Sequence, residues 1–212
     1  IKTALQASSF KKHILLEKPL SLKAKDIDPL IKVAIKNKII IKEAFMVRHH
    51  PQWQWVKKYI KKGNIGDISS ISSVFSYSNS DSKNIRNIKK YGGGAIYDIG
   101  CYPIVISRYL LGKEPKRVVA SAVIDSNFKT DILSSALLDF GGIYSSFTVA
   151  TQSNKSQQVV ILGTKKTIVI ENPFNAEPSK KTNIILYNGK SIYRKENTIK
   201  TFSATDQYEH QV

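Results

Sequence analysis

The densest run of chemically able residues is Gly92-Gly93-Gly94-Ala95-Ile96-Tyr97-Asp98-Ile99-Gly100-Cys101-Tyr102-Pro103. Three glycines release the backbone. Asp98 and Tyr102 then fall four residues apart, a spacing that puts two side chains on one face of a helix. A carboxylate and a phenol on one wall of a cleft form a proton-transfer pair. An unperturbed phenol, with a pKa near ~10, is a poor base at neutral pH and needs a nearby cation. Lys18 is the best-placed one: it is fixed by Pro19 at the carboxyl end of a predicted strand, where ligands of open α/β sheets gather. Each residue also has a plain structural use, as loop glycine, helix-capping aspartate, tyrosine with its hydroxyl at a rim, or Lys-Pro turn. Pro103 removes a helical hydrogen bond, so the helix either begins near Cys101 or bends there.

The flanking elements must hold these groups. Ala4, Leu5 and Ala7 suggest a short helix up to about Phe10. The apolar run His13-Ile14-Leu15-Leu16 reads as a buried parallel strand ending at Glu17-Lys18-Pro19. Ser21 or Asp26 caps a helix that carries Ile27, Leu30, Ile31 and Ala34 on one face and closes near Asn37. A second strand is expected from Ile39 to Val47. Helix, strand, helix, strand is the closing part of a doubly wound α/β unit.

From Pro51, Trp53, Val56, Tyr59 and Ile60 recur at helical spacing, and Gly63 supplies the stop. The period then changes to two. Strands are expected over 71–77, 118–124, 132–140, 143–149, 159–162, 167–170 and 184–187. Gly141-Gly142, the Gly163-Thr164 region and Asn188-Gly189 join pairs of them as an antiparallel sheet. A polar loop spans about 78–91, a helix runs from the glycine triplet to Leu111, and a second surface loop covers 172–183. The fold class is therefore α/β: the C-terminal part of a Rossmann domain (1–49), then an α+β domain (50–212) with a large, mainly antiparallel open sheet.

A net charge of +17 in 212 residues raises the question of nucleic acid. The basic residues are 28 lysines and only five arginines, Arg48, Arg86, Arg108, Arg117 and Arg194. Recognition of phosphates and base edges favours arginine's bidentate fork. Lysine is matched by 28 isoleucines, a drift toward AT-rich codons spread over solvated faces. The lysine pairs are scattered with no aromatic ladder for stacking. No nucleic-acid partner and no membrane association are expected, and the single cysteine, Cys101, fits a reducing cytoplasm.

Three stretches together, Lys12 to Leu20, Glu43 to Trp53 and Gly92 to Ile104, resemble the Gfo/Idh/MocA oxidoreductases over essentially the whole chain. Within them the likeness is to the dimeric dihydrodiol and xylose dehydrogenases. Tyrosine at 102, where inositol-dehydrogenase-like members have histidine, favours that branch. The resemblance implies an NAD- or NADP-dependent dehydrogenase acting on CH–OH groups, with a sugar, polyol or trans-dihydrodiol as the small carbohydrate-like substrate. It implies a homodimer or homotetramer through the open sheet. Lys18 would lie by the nicotinamide ribose and substrate, with Glu17, Pro19 and Arg48 also at the cofactor. Lys18, Asp98 and Tyr102 would be catalytic: Tyr102 exchanges the proton, Lys18 favours the ionised phenol, and Asp98 orients the substrate or relays the proton.

Other candidates carry less. Arg48 suits either the cofactor or an interdomain contact. His49 and His50 lack ligand partners at metal spacing, so no metal is expected. Trp53 and Trp55 read as core and rim of a helix, and Cys101 as a small packing residue. No Gly-x-Gly-x-x-Gly precedes a strand, so the chain is expected to be a shortened piece of such an enzyme, inactive and binding dinucleotide weakly by itself. The alternative is a non-catalytic binding or oligomerisation module of the same fold.

Overall fold

The computed structural model describes residues 1–189 and 197–212, which fall into two compact units, Ile1–Met46 and Val47–His210.

In the first unit α1 (Lys2–Ser9), β1 (Ile14–Leu16), α2 (Asp28–Asn37) and β2 (Ile41–Glu43) follow the expected order. β1 and β2 pair in parallel, Leu15 opposite Lys42. β1 is not the buried strand its apolar run suggested, because Leu15 is 42% exposed. Neither Ser21 nor Asp26 caps α2; Ile27 stands at the cap, after a 3-10 turn, and Pro29 occupies the first turn, where its missing N–H costs nothing. β2 is shorter than expected, and Met46–His49 coil into a 3-10 turn.

In the second unit α3 (Pro51–Lys61) starts at His50, whose Nδ1 accepts the Gln52 N–H at 3.1 Å. Trp53 and Val56 are fully buried. Eight strands follow: β3 (Ile68–Ser78), β4 (Arg117–Ile124), β5 (Asp131–Asp139), β6 (Tyr144–Ala150), β7 (Gln152–Gly163), β8 (Thr167–Ile170), β9 (Thr182–Tyr187) and β10 (Asn197–Phe202). Their order is β10-β9-β8-β7-β3-β6-β5-β4. Every pairing is antiparallel except β3 with β6, at the centre.

α4 (Cys101–Leu111) packs on one face of this sheet through Ser107, whose Oγ lies 2.7 Å from that of Ser145 on β6. The other face carries Val74, Leu133 and Leu137 among Ser72, Ser135, Ser146 and Thr148 and lies open. All residues of the edge strand β4 are exposed. β10 was not expected from the pattern. Asn197 pairs with Tyr187, so residues 188–196 join β9 to β10 in place of a two-residue turn at Asn188-Gly189; 190–196 lie outside the described residues.

His50 is 1% exposed, and burial, with His210 nearby, lowers its pKa to about 4. Its neutral Nδ1 is the cap acceptor, which protonation would remove. The folded state therefore binds fewer protons than the unfolded chain between about pH 6.5 and 4. Stability is unaffected by this group above pH 7 and falls as pH drops through that window, by up to about 3 kcal/mol at ~1.4 kcal/mol per pKa unit. His50→Asn keeps a cap acceptor and is expected to flatten this slope in denaturant titrations at pH 7.0 and 4.5.

Candidate active site

The glycine triplet shows why three glycines stand there. Gly93 sits against the backbone of the preceding loop: a Cβ would lie 2.5 Å from the Arg86 carbonyl oxygen and 2.8 Å from the Ile88 nitrogen. Gly94 adopts φ +117°, and a side chain there would run into the Asp131 carboxylate. That carboxylate occupies the helix start. Its Oδ2 accepts the Ile96 N–H at 2.8 Å and the Ser134 hydroxyl at 2.6 Å.

From there the chain takes one wide π turn, Ile96–Gly100, with the Cys101 N–H bonded to the Ile96 carbonyl, and continues directly into α4. Both readings of Pro103 meet here. α4 begins at Cys101, which puts Pro103 in its first turn, where a missing N–H is tolerated, and the wide turn keeps the helix unbroken upstream.

Asp98 and Tyr102 both face β3. The Tyr77 hydroxyl donates to Asp98 Oδ2 at 2.6 Å, and Arg86 Nε lies 3.3 Å from the same oxygen. Two residues back along the strand, Phe75 meets the Tyr102 ring edge-on, with centroids 5.7 Å apart. A strand advances about 6.7 Å per two residues and a helix about 6 Å per four, so two rungs match. Burial first, and the bond to Asp98 second, push the Tyr77 phenol well above its ordinary pKa.

Phe174 completes the aromatic wall. It stacks on Phe75 at 5.0 Å and tilts against Tyr102 at 5.6 Å. Its loop was expected to lie on the surface, but Phe174 is fully buried and Ala176 nearly so. Side chains satisfy the loop's backbone: Gln52 Nε2 donates to the Asn172 carbonyl, Trp53 Nε1 to Pro173 and Gln207 Nε2 to Phe174, while Gln157 Oε1 accepts the N–H groups of Phe174 and Asn175. Alongside lies a cleft of about 400 Å³ lined by Phe75, Tyr77, Lys155, Gln157, Asn172 and Asn175, among others.

The remaining candidates are placed as follows. Lys18 is half-buried just beyond β1, with its backbone N–H 3.2 Å from Glu17 Oε2 and a cis bond to Pro19. The Leu20 N–H bonds Glu43 Oε1 at 2.7 Å, which ties the Glu-Lys-Pro turn to the end of β2. Arg48 lies over the Tyr109 ring at 5.2 Å, a ring that also meets Lys57 at 3.9 Å. Among the described residues no group of three or more His, Cys, Asp or Glu side chains could hold a metal ion. None of their helices is long and apolar enough to cross a membrane. Sequence reasoning missed Tyr77 and Arg86. Tyr77 shares the period-two face of Ile71 and Phe75, a signal that was there to use; Arg86 sits in irregular loop and had none.

The model of the GFO/IDH/MocA C-terminal domain matches residues 53–169, more than half of the chain. The chain belongs to the Gfo/Idh/MocA family of oxidoreductases. It is 38% identical over 97% of its length to an uncharacterised oxidoreductase of Rhizobium meliloti, covering 62% of that protein. It is 32% identical over 84% of its length to a trans-1,2-dihydrobenzene-1,2-diol dehydrogenase of Xenopus tropicalis, covering 53% of it. In fold it resembles a 3-ketoreductase from Actinomadura kijaniata, solved in complex with NADP and TDP-benzene. There the TM-score is 0.89 at 24% identity, over 99% of this chain and 63% of the other. The chain thus spans less than two thirds of the length of these relatives.

Gly93→Ala forces a methyl group against backbone that cannot swing aside. It is expected to cost about 1–3 kcal/mol, read as a lower denaturant midpoint with an unchanged slope.

Proposed function

We propose that this chain is the substrate-shaping part of an enzyme that moves a hydride between NAD or NADP and the CH–OH group of a sugar, polyol or trans-dihydrodiol. The observation that carries the reading is the docking of the 92–103 helix start on β3, which sets Asp98 and Tyr102 behind the wall of the cleft through Tyr77 and Phe75. The cytoplasm is the compartment proposed, and NADP is favoured by the cofactor of the ketoreductase that shares the fold.

The residues present fit one end of such a cofactor. Lys18 stands at the carboxyl ends of two parallel strands, with its turn tied down by Glu43, as a ribose-binding cation should. Unit 1 contains no glycine, so it offers no close backbone approach for a pyrophosphate. A bound nicotinamide supplies or takes up the hydride. In the oxidation direction the substrate O–H proton passes to Tyr102 as the carbon–oxygen double bond forms; in reduction Tyr102 returns it. Lys18, with Glu17, Pro19 and Arg48 at the cofactor edge, favours the ionised phenol. That Lys18 joins Asp98 and Tyr102, and that residues 1–49 and 50–212 divide the work, are parts of this proposal.

In the complete enzyme Tyr102→Phe is expected to cut kcat by two orders of magnitude or more, with cofactor affinity changed little. Stopped-flow hydride transfer and nucleotide titration measure the two separately; undiminished turnover removes Tyr102 from the role.

The open sheet face is proposed to pair with a second copy as a homodimer or homotetramer. Its centre is a flat field of small hydroxyls and valines, with Ser72 bonded to Ser146 and Ser135 to Thr148. Leu137 stands there 40% exposed. Leu137→Arg places a charge in that field and is expected to yield monomers by light scattering while the circular dichroism spectrum stays unchanged.

A further inference from the structure

The hydrogen bond between Tyr77 and Asp98 has a fixed direction. An ionised carboxylate only accepts, so the Tyr77 hydroxyl spends its one proton on Asp98 Oδ2. Arg86 Nε stands 3.3 Å from the same oxygen, so both partners of that oxygen are donors. The raised phenol pKa keeps the proton in place across the working range. What the Tyr77 oxygen has left is acceptor capacity alone.

Tyr77 is half-buried and lines the cleft beside Phe75, Lys155 and Asn172. Gln157 is spent on the 174–175 backbone and serves as wall. We propose that Tyr77 is a specificity-determining residue that accepts a hydrogen bond from a donor hydroxyl of the substrate. A hydroxyl satisfies the phenol oxygen. A keto, ether or phosphate oxygen at the same point sets acceptor against acceptor and is rejected, as is a deoxy carbon that leaves the oxygen dry. The substrate class is thereby narrowed to molecules with a free hydroxyl at a second position besides the one that reacts. The binding part of this inference stands on the cleft alone; its kinetic part rests on the oxidoreductase reading.

Two measurements test it. In the chain labelled with carbon-13 at tyrosine Cζ, the Tyr77 line is assigned by its loss in Tyr77→Phe. Titration with glycerol is expected to shift that line, and titration with 1,2,3-trimethoxypropane to leave it in place. A line that ignores glycerol, or that moves equally with the ether, overturns the proposal. In the complete enzyme, D-xylose and its monodeoxy analogues are compared. Tyr77→Phe is expected to raise KM for the hydroxylated sugar about tenfold and to abolish the preference for one hydroxyl, the loss of its tie to Asp98 acting on hydroxylated and deoxy substrates alike. Tyr102→Phe instead lowers kcat on every substrate. A Tyr77→Phe enzyme that keeps the wild-type preference overturns the assignment. Should the wild-type enzyme turn over no sugar, polyol or dihydrodiol, the oxidoreductase reading fails, and the glycerol titration still decides the role of Tyr77.

Discussion

The bond from Tyr77 to Asp98 ties a strand to the wide first turn of a helix, and much of the site follows from that tie. With Asp98 held, the next turn can only present Tyr102 to Phe75, because the strand repeat and the helix repeat nearly coincide over that distance. With Tyr102 held, Phe174 must close against both rings. The arrangement tolerates little slack: a slip of one residue along β3 turns the phenol and the phenylalanine to the opposite sheet face.

The tie is supported from behind. Gly93 and Gly94 let the helix start touch two pieces of chain at once, the 86–88 backbone and the Asp131 carboxylate. The first of these contacts brings Arg86 to Asp98; the second satisfies an amide that the first turn of a helix leaves without a partner. On the far side four side chains hold the backbone of the 172–175 loop, so the aromatic wall is fixed by hydrogen bonds as well as by packing. Such a site is organised before anything binds.

The sequence showed the motif well and its surroundings poorly, for physical reasons. A glycine triplet followed by Asp98 and Tyr102 is a local pattern, and local patterns survive without coordinates. Most strands from 68 to 170 were legible because one face is apolar and the other is not; the first part of β7, Gln152 to Gln158, was not, since it carries no apolar residue. β10 was not, since Asn197, Thr198, Lys200 and Thr201 give it no continuous apolar face and its residues are exposed or nearly so. Pro103 announced a disturbed helix without telling its form. The partners of Asp98 come from a strand end and an irregular loop, at separations of 21 and 12 residues, which no periodicity links.

The parallel pairing of β3 with β6 bears on how the molecule comes to be folded. Ser72 meets Ser146, 74 positions further along the chain, and on its other edge β3 meets β7, Ile71 opposite Ile161. The strand at the centre of the sheet is thus the first of the eight to leave the ribosome, and it must wait for both neighbours. The hairpin β4–β5 closes locally in the meantime. Closing the central seam carries the entropy of long loops before any contact rewards it, which places this unit among slowly assembling topologies. Until β6 and β7 arrive, the edges of β3 stand open to other chains, and the serines along its solvent face make that edge a poorer template for aggregation than valines would.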